Sequence, residues 1–231
     1  HGGRDSCQYC QIIPGPKNMD KKTKTLVFTG GHHISALATA LSLQESGWTI
    51  VWFGHRHSMW GDTADSAEYQ EVTAAGIKFH DLKAGKLYHT HHPLKLLRIP
   101  FGFLQAFYLL LMTQPRGIVS FGGYLAVPTV IAGWILGIPS ITHEQTVVAG
   151  WANKFLSPFV EKIAVSWPSS LTHYPKYKTV LTGLPIRSHL LSKNPSPKEK
   201  NLIYVTGGKQ GSHAINTVLF TALPELTSKY K

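Results

Sequence analysis

Short runs of β-branched and aromatic residues alternate with helix-forming runs along most of this chain, and that alternation restricts its fold more than any other feature. TLVFTG (25–30), TIVWFG (49–54), IKFHDL (77–82), GIVSFG (117–122), IPSITHE (138–144) and EKIAVSW (161–167) read as strands. ISALATALSLQESG (34–47), SAEYQEVTAAG (66–76), an apolar stretch near 93–114, LAVPTVIAGWILG (125–137) and GWANKFLSPFV (150–160) read as the helices between them. Strands joined through helices pair in parallel, with the helices covering both faces of the sheet. The pattern therefore predicts an α/β fold with a Rossmann-like, doubly wound parallel sheet.

The texture changes after the sixth strand. KTVLTGLPIR (178–187) reads as a crossing strand, and the polar, proline-containing SHLLSKNPSPKEK (188–200) reads as a linker. NLIYVTGG (201–208) and SHAINTVLFTALPEL (212–226) then read as one strand and one helix of a new unit. A single strand and helix cannot bury a core. The expected organisation is an N-terminal domain over 19–187, a linker over 188–200 and the incomplete start of a second Rossmann-like domain over 201–231. Met19 precedes a short basic lead into the first strand, so residues 1–18 read as an extension or upstream sequence.

Composition narrows the function. Hydrophobic residues make up 43% of the 231 and charged residues 15%, which excludes a disordered chain. The formal charge of +11 favours an anionic partner: nucleic acid, a membrane surface or a phosphorylated ligand. The basic residues are scattered and are not interleaved with aromatic stacking platforms, which argues against nucleic acid. Cys7 and Cys10, in CQYC, have no second pair to complete a metal site, so no function is read there. HTHH (89–92) and HRH (55–57) lack nearby carboxylate or cysteine partners and read as loops. The apolar run between Arg98 and Met112 is shorter than the roughly 20 residues of a membrane-spanning helix. It reads either as a buried helix or as one lying in a membrane interface, flanked by Lys95 and Arg98.

Three glycine pairs each stand between a strand and a helix: TGGHH (29–33), FGGY (121–124) and TGGKQGS (206–212). Glycine admits unusual backbone angles and close approach, and the helix that follows offers unpaired N–H groups with a partial positive charge. Together these suit phosphate. None of the three matches the dinucleotide or P-loop fingerprint. His143, Glu144 and Gln145 follow the fifth strand as a polar cluster suited to sugar hydroxyls or proton transfer, or to capping a helix.

In order and spacing, FGGYLAVP, GIPSITHEQTVVAGWANKFLS, GLPIR and GGKQGSHAIN resemble the MurG-type glycosyltransferases, over about Leu26 to Leu226. That resemblance implies a GT-B fold and transfer of N-acetylglucosamine from UDP-N-acetylglucosamine to lipid I, a polyprenyl-diphosphate-linked acceptor of peptidoglycan synthesis. It implies an inverting, metal-independent reaction in which the UDP-sugar is a co-substrate and no cofactor is needed. It also implies a peripheral enzyme at the cytoplasmic face of the cell membrane. Thr29, Gly30, Gly31, Gly122, Gly123, Tyr124, His143 and Gln145 would face the acceptor. Arg187, Gly207, Gly208, Gln210, Gly211 and Ser212 would face the donor. His32 is the first candidate for the base and Glu144 the second. The sequence departs from the family pattern with Val27 and Phe28 ahead of the first loop, and at Ser35, Thr146, Leu184 and Lys209. Two alternatives stay open: transfer to another polyprenyl-diphosphate-linked sugar, and a non-catalytic, membrane-recruiting acceptor subunit of a two-chain enzyme. Because the second domain is expected to be incomplete, weak UDP-N-acetylglucosamine binding by this chain alone is expected.

Overall fold

Parallel pairing of β1 (Thr25–Thr29) with both β2 (Thr49–Gly54) and β4 (Gly117–Ser120) organises the fold. A computed structural model describes residues 24–57, 63–85, 98–187, 190, 203–207 and 212–229. The other strands are β3 (Lys78–Asp81), β5 (Ser140–Glu144), β6 (Lys162–Val165) and β7 (Thr179–Leu181). All seven strands form one parallel sheet in the order β3-β2-β1-β4-β5-β6-β7. The helices are α1 (His33–Glu45), α2 (Ala67–Ala74), α3 (Arg98–Thr113), α4 (Ala126–Ile135) and α5 (Trp151–Leu156). A 3-10 helix spans Pro168–His173, and α6 (His213–Lys229) lies near the end of the chain.

The period-two geometry of a strand, with both faces covered, explains why the central strands β1, β2 and β4 are mainly apolar. On β1, Leu26 and Phe28 enter one core with Ile50, Trp52, Val119 and Phe121, while Val27 enters the other with Val51, Phe53 and Ile118. Helices α1 and α2 cover the first core, and α3, α4 and α5 cover the second. Phe28 stacks between Trp52 (5.8 Å between ring centroids) and Phe121 (6.2 Å). The buried Trp52 indole keeps its hydrogen bond by donating to Glu68 Oε1 at 2.7 Å.

Helix α3 has one buried face and one exposed apolar face. Ala106 and Leu110 are buried in the core, while Phe101, Leu104, Tyr108, Leu111 and Met112 are exposed. Those five recur at helical spacing and form a stripe along one face. Among the described residues, no helix is long and apolar enough to cross a membrane.

The chain divides into two units, residues 1–191 and 192–231. The strand expected over 201–208 is not present at Ile203–Gly207, which is irregular and exposed. A strand requires a hydrogen-bonded neighbour, and these residues have none among those described. In the same unit, α6 runs through Pro224 and buries none of its residues. The crossing strand expected over 178–187 is instead a three-residue edge strand, β7, paired with β6. The 3-10 turn at 168–173 had no periodic signal to reveal it. Cys7, Cys10, Lys95 and the HTHH segment lie outside the described residues.

Because Phe28 is fully buried between two aromatic rings, Phe28→Ala is expected to cost about 3–5 kcal/mol of stability. Urea unfolding measures it, and a loss below about 1 kcal/mol would contradict the packing described.

Candidate functional site

The sheet order reverses between β1 and β4, so their loops flank the crevice where ligands of doubly wound folds bind. These two loops are clasped together. Phe121 N donates to Thr29 O at 2.8 Å and Gly31 N donates to Gly122 O at 2.9 Å. Gly30 has φ +137°, and a Cβ there would lie 2.7 Å from the Phe121 backbone. Gly123 has φ +77°, and a Cβ there would lie 3.1 Å from Gly31 N. The close approach that glycine permits at these two positions is therefore loop against loop. Gly31 has only Gly123 Cα nearby, at 3.8 Å from a Cβ.

His32 is the N-cap of α1, and its Nδ1 lies 3.1 Å from Phe121 O. A carbonyl only accepts, so Nδ1 is the donor, and in the neutral imidazole Nε2 keeps its lone pair. Thr29 is fully buried, and its hydroxyl donates to Leu125 O at 3.5 Å. It ties the two loops and offers nothing to a ligand. Tyr124 is half-buried beside the His55 ring (5.8 Å), and burial, aided by Glu68, pushes its phenol up to about 12.

The third cluster, after β5, differs from the sequence expectation. His143 is buried beneath the clasp, with its ring 5.2 Å from Phe121 and its Nε2 facing Ser166 Oγ at 3.0 Å and Gly183 O at 3.4 Å. Burial lowers its pKa to about 4, with His32 adding to the effect, against the Gly183 carbonyl and Glu144, which favour the proton. It is a neutral core histidine that supports Phe121, and burial removes it from direct acceptor contact.

Glu144 is also buried, and its oxygens accept from Thr146 N (3.1 Å) and Oγ1 (2.7 Å), Gly150 N (2.8 Å), Asn153 Nδ2 (3.0 Å) and Tyr174 OH (2.8 Å). Burial raises its pKa, but the hydrogen bonds from Thr146, Gly150 and Asn153 together outweigh it and hold the carboxyl below its ordinary value. The Tyr174 phenol is raised by burial and by its bond to Glu144. A carboxylate so fully engaged organises the 144–150 loop. Gln145, by contrast, is half-buried and its Oε1 is buried with no hydrogen-bond partner among the described residues.

Asn153 was not legible as a site residue. It is buried, accepts from Thr142 Oγ1 at 2.7 Å and donates to His143 O at 3.2 Å, and a Cβ on Gly122 would lie 2.9 Å from it. It joins the second glycine loop to the Glu144 hub. The only available signal was a single amide in an otherwise apolar helix start.

Arg187 belongs to the first unit and pairs with Glu71 at 2.7 Å. Gly207 and Ser212 lie in the second unit, where Ser212 Oγ accepts from Ile215 N at 3.3 Å. Gly208, Gln210 and Gly211 lie outside the described residues. Among the described residues no three metal-ligating side chains gather.

Parallel strands, crossed over through helices and ending in clasped glycine loops, define the class of doubly wound, Rossmann-like α/β proteins. The N-terminal domain model of glycosyltransferase family 28 matches residues 27–165, and the chain belongs to that family. It is 33% identical over 224 residues to UDP-N-acetylglucosamine--N-acetylmuramyl-(pentapeptide) pyrophosphoryl-undecaprenol N-acetylglucosamine transferase 2 of Bacillus cereus, covering 90% of this chain and 61% of that protein. It is 37% identical over 202 residues to the corresponding transferase of Nitrosomonas europaea, covering 84% of this chain and 55% of that protein. The crystal structure of MurG from Acinetobacter baumannii superposes with a TM-score of 0.55 at 24% identity, over 77% of this chain and 46% of that one. The likeness in structure supports the fold. The chain thus spans about three fifths of the length of these relatives.

Two outcomes are expected. Gly30→Ala forces the clasp apart and should lower the melting temperature; a variant with unchanged melting would contradict the contact with Phe121. His143 supports stability fully above its ordinary value of 6.5, because there both folded and unfolded chains hold it neutral. As pH falls from 6.5 towards about 4, only the unfolded chain gains the proton, and stability declines by about 1.4 kcal/mol per pH unit. Urea unfolding at pH 6.5 and pH 5 should show that slope in the parent protein and a flatter one in His143→Leu.

Proposed function

We propose that this chain provides the acceptor-binding half of an inverting glycosyltransferase that moves N-acetylglucosamine from UDP-N-acetylglucosamine to lipid I. The observation that carries the proposal is the setting of His32. It stands at the N-terminus of α1, at the junction of two glycine loops, with Nδ1 committed to Phe121 O. Nε2 is then the natural acceptor for the proton of an attacking hydroxyl. The acceptor oxygen forms a bond to the anomeric carbon, the bond from that carbon to the UDP oxygen breaks, and the hydroxyl proton passes to His32. UDP leaves with the bonding electrons. The partial positive charge at the N-terminus of α1 suits a diphosphate close by. The unpartnered Gln145 Oε1 suits a sugar hydroxyl, which would satisfy an otherwise costly buried acceptor.

Glu144 is not the base in this scheme, because its oxygens are already occupied. It holds Gln145 and Thr146 in place. Arg187, always charged, supplies a diphosphate contact. Such transferases treat the UDP-sugar as a co-substrate, and no further cofactor enters the proposed step. The exposed stripe on α3 is proposed to dock on an anionic membrane surface at its cytoplasmic face, where a lipid-linked acceptor resides. The net charge of +11 supports that partner.

Two measurements test these proposals. Calorimetry would compare a muramyl-peptide diphosphate with an N-acetylglucosamine diphosphate on the same short lipid. Preference for the muramyl peptide is expected; the reverse preference would transfer the function to another lipid-linked glycan. Flotation with phosphatidylglycerol vesicles should weaken about tenfold or more in Leu104→Glu with Met112→Glu, since both side chains lose apolar contact. Unchanged flotation would remove α3 from the membrane contact.

A further inference from the structure

Glu71, on α2, is shared by two basic side chains that are far apart in sequence. Its Oε2 accepts from a terminal nitrogen of Arg187 at 2.7 Å and lies 3.6 Å from Nε2 of His33. His33 is buried and is the first residue of α1. A single carboxylate therefore links Arg187, near the end of the first unit, to the first residue of the helix that begins at the first glycine loop.

The pairing leaves arginine able to bind. A guanidinium has five N–H donors, and among the described residues only one is engaged, by Glu71. The Arg187 side chain is 39% exposed, so its remaining donors are accessible. A half-exposed pair of this kind adds little to stability. What it does is restrict a side chain that otherwise samples many rotamers, and so lowers the ordering cost at the moment a ligand binds. Its geometry is that of a preset cation.

We propose that Glu71 is a positioning residue for Arg187, holding the guanidinium ready beside the N-terminus of α1 for a diphosphate. This rests on the reading above in which Arg187 serves a diphosphate. The chemistry is common to a nucleoside diphosphate and a lipid diphosphate, and the test separates them. Position and simple charge predict opposite signs. Removing a carboxylate near an anion site strengthens anion binding by charge alone, whereas losing a preset arginine weakens it.

The experiment is calorimetry on the full chain with UDP and, separately, farnesyl diphosphate. The variants are Glu71→Ala, Glu71→Gln, Arg187→Ala and the double variant Glu71→Ala with Arg187→Ala, each checked by thermal melting. Glu71→Ala should weaken one probe by about 2–10-fold. Glu71→Gln, which keeps an acceptor oxygen, should recover most of that loss. The double variant should bind no more weakly than Arg187→Ala, because Glu71 acts through the arginine. The probe that responds identifies the diphosphate. Glu71→Ala binding that is unchanged or tighter, while Arg187→Ala is weaker, would overturn the positioning role and leave the arginine's role intact. Additive losses would also overturn it. Arg187→Ala without effect on either probe, or a parent chain that binds neither, would overturn both the role of Arg187 and this inference.

Discussion

The clasp between the ends of β1 and β4 is the constraint on which the site depends. Two backbone hydrogen bonds, Phe121 N to Thr29 O and Gly31 N to Gly122 O, continue the parallel ladder past the last strand residues. They hold the two loops against each other at the point where the sheet order reverses. No side chain fits between them at Gly30. His32 owes its orientation to the same contact, since the carbonyl that fixes its Nδ1 belongs to Phe121. Phe121 is in turn packed on Phe28 and on His143, so the clasp stands directly on the aromatic core.

A second hub lies one strand further along. Glu144 is a buried charge, which is costly unless surrounded by donors, and here four residues supply them. The carboxylate fixes the loop after β5 from within, and Asn153 carries that order to Gly122 through its packing. Thr142 and Asn153 hydrogen-bond beneath the crevice, while the buried Gln145 oxygen and the Ser140 hydroxyl remain without a hydrogen-bond partner among the described residues.

The sheet was legible because its central strands β1, β2 and β4 are mainly apolar runs, as burial on both faces demands. The glycine loops were legible because they punctuate those runs. Burial was not legible at the polar positions: the family resemblance puts Thr29 and His143 at the acceptor and offers Glu144 as a second base, yet all three are buried. Sequence position puts a residue at the carboxyl edge of the sheet. Whether it points up to the crevice or down to the core depends on contacts made by distant residues such as Tyr174 and Gly183. The same limit hid Asn153 and the Glu71–Arg187 pair, whose partners are 116 residues apart. Isolated NLIYVTGG reads as a strand by composition, but composition cannot supply the neighbour that a strand needs.

The two histidines around Phe121 show how burial divides labour between chemically identical groups. His143 lies under the loop, where loss of water disfavours its charged form. His32 lies above it at a helix N-terminus, with one nitrogen fixed and the other open to react. A charged His143 would place a cation beneath His32, and in the proposed reaction the arrival of a proton there would be opposed. Burial of the lower ring keeps that charge away. It therefore contributes to the chemistry of the upper ring without touching a substrate, in the same way that Glu144 contributes by ordering its loop. The reactive surface in this reading is small: one imidazole nitrogen, the first turn of a helix, one amide oxygen and one arginine. The polar residues beneath it serve to keep those few groups in place.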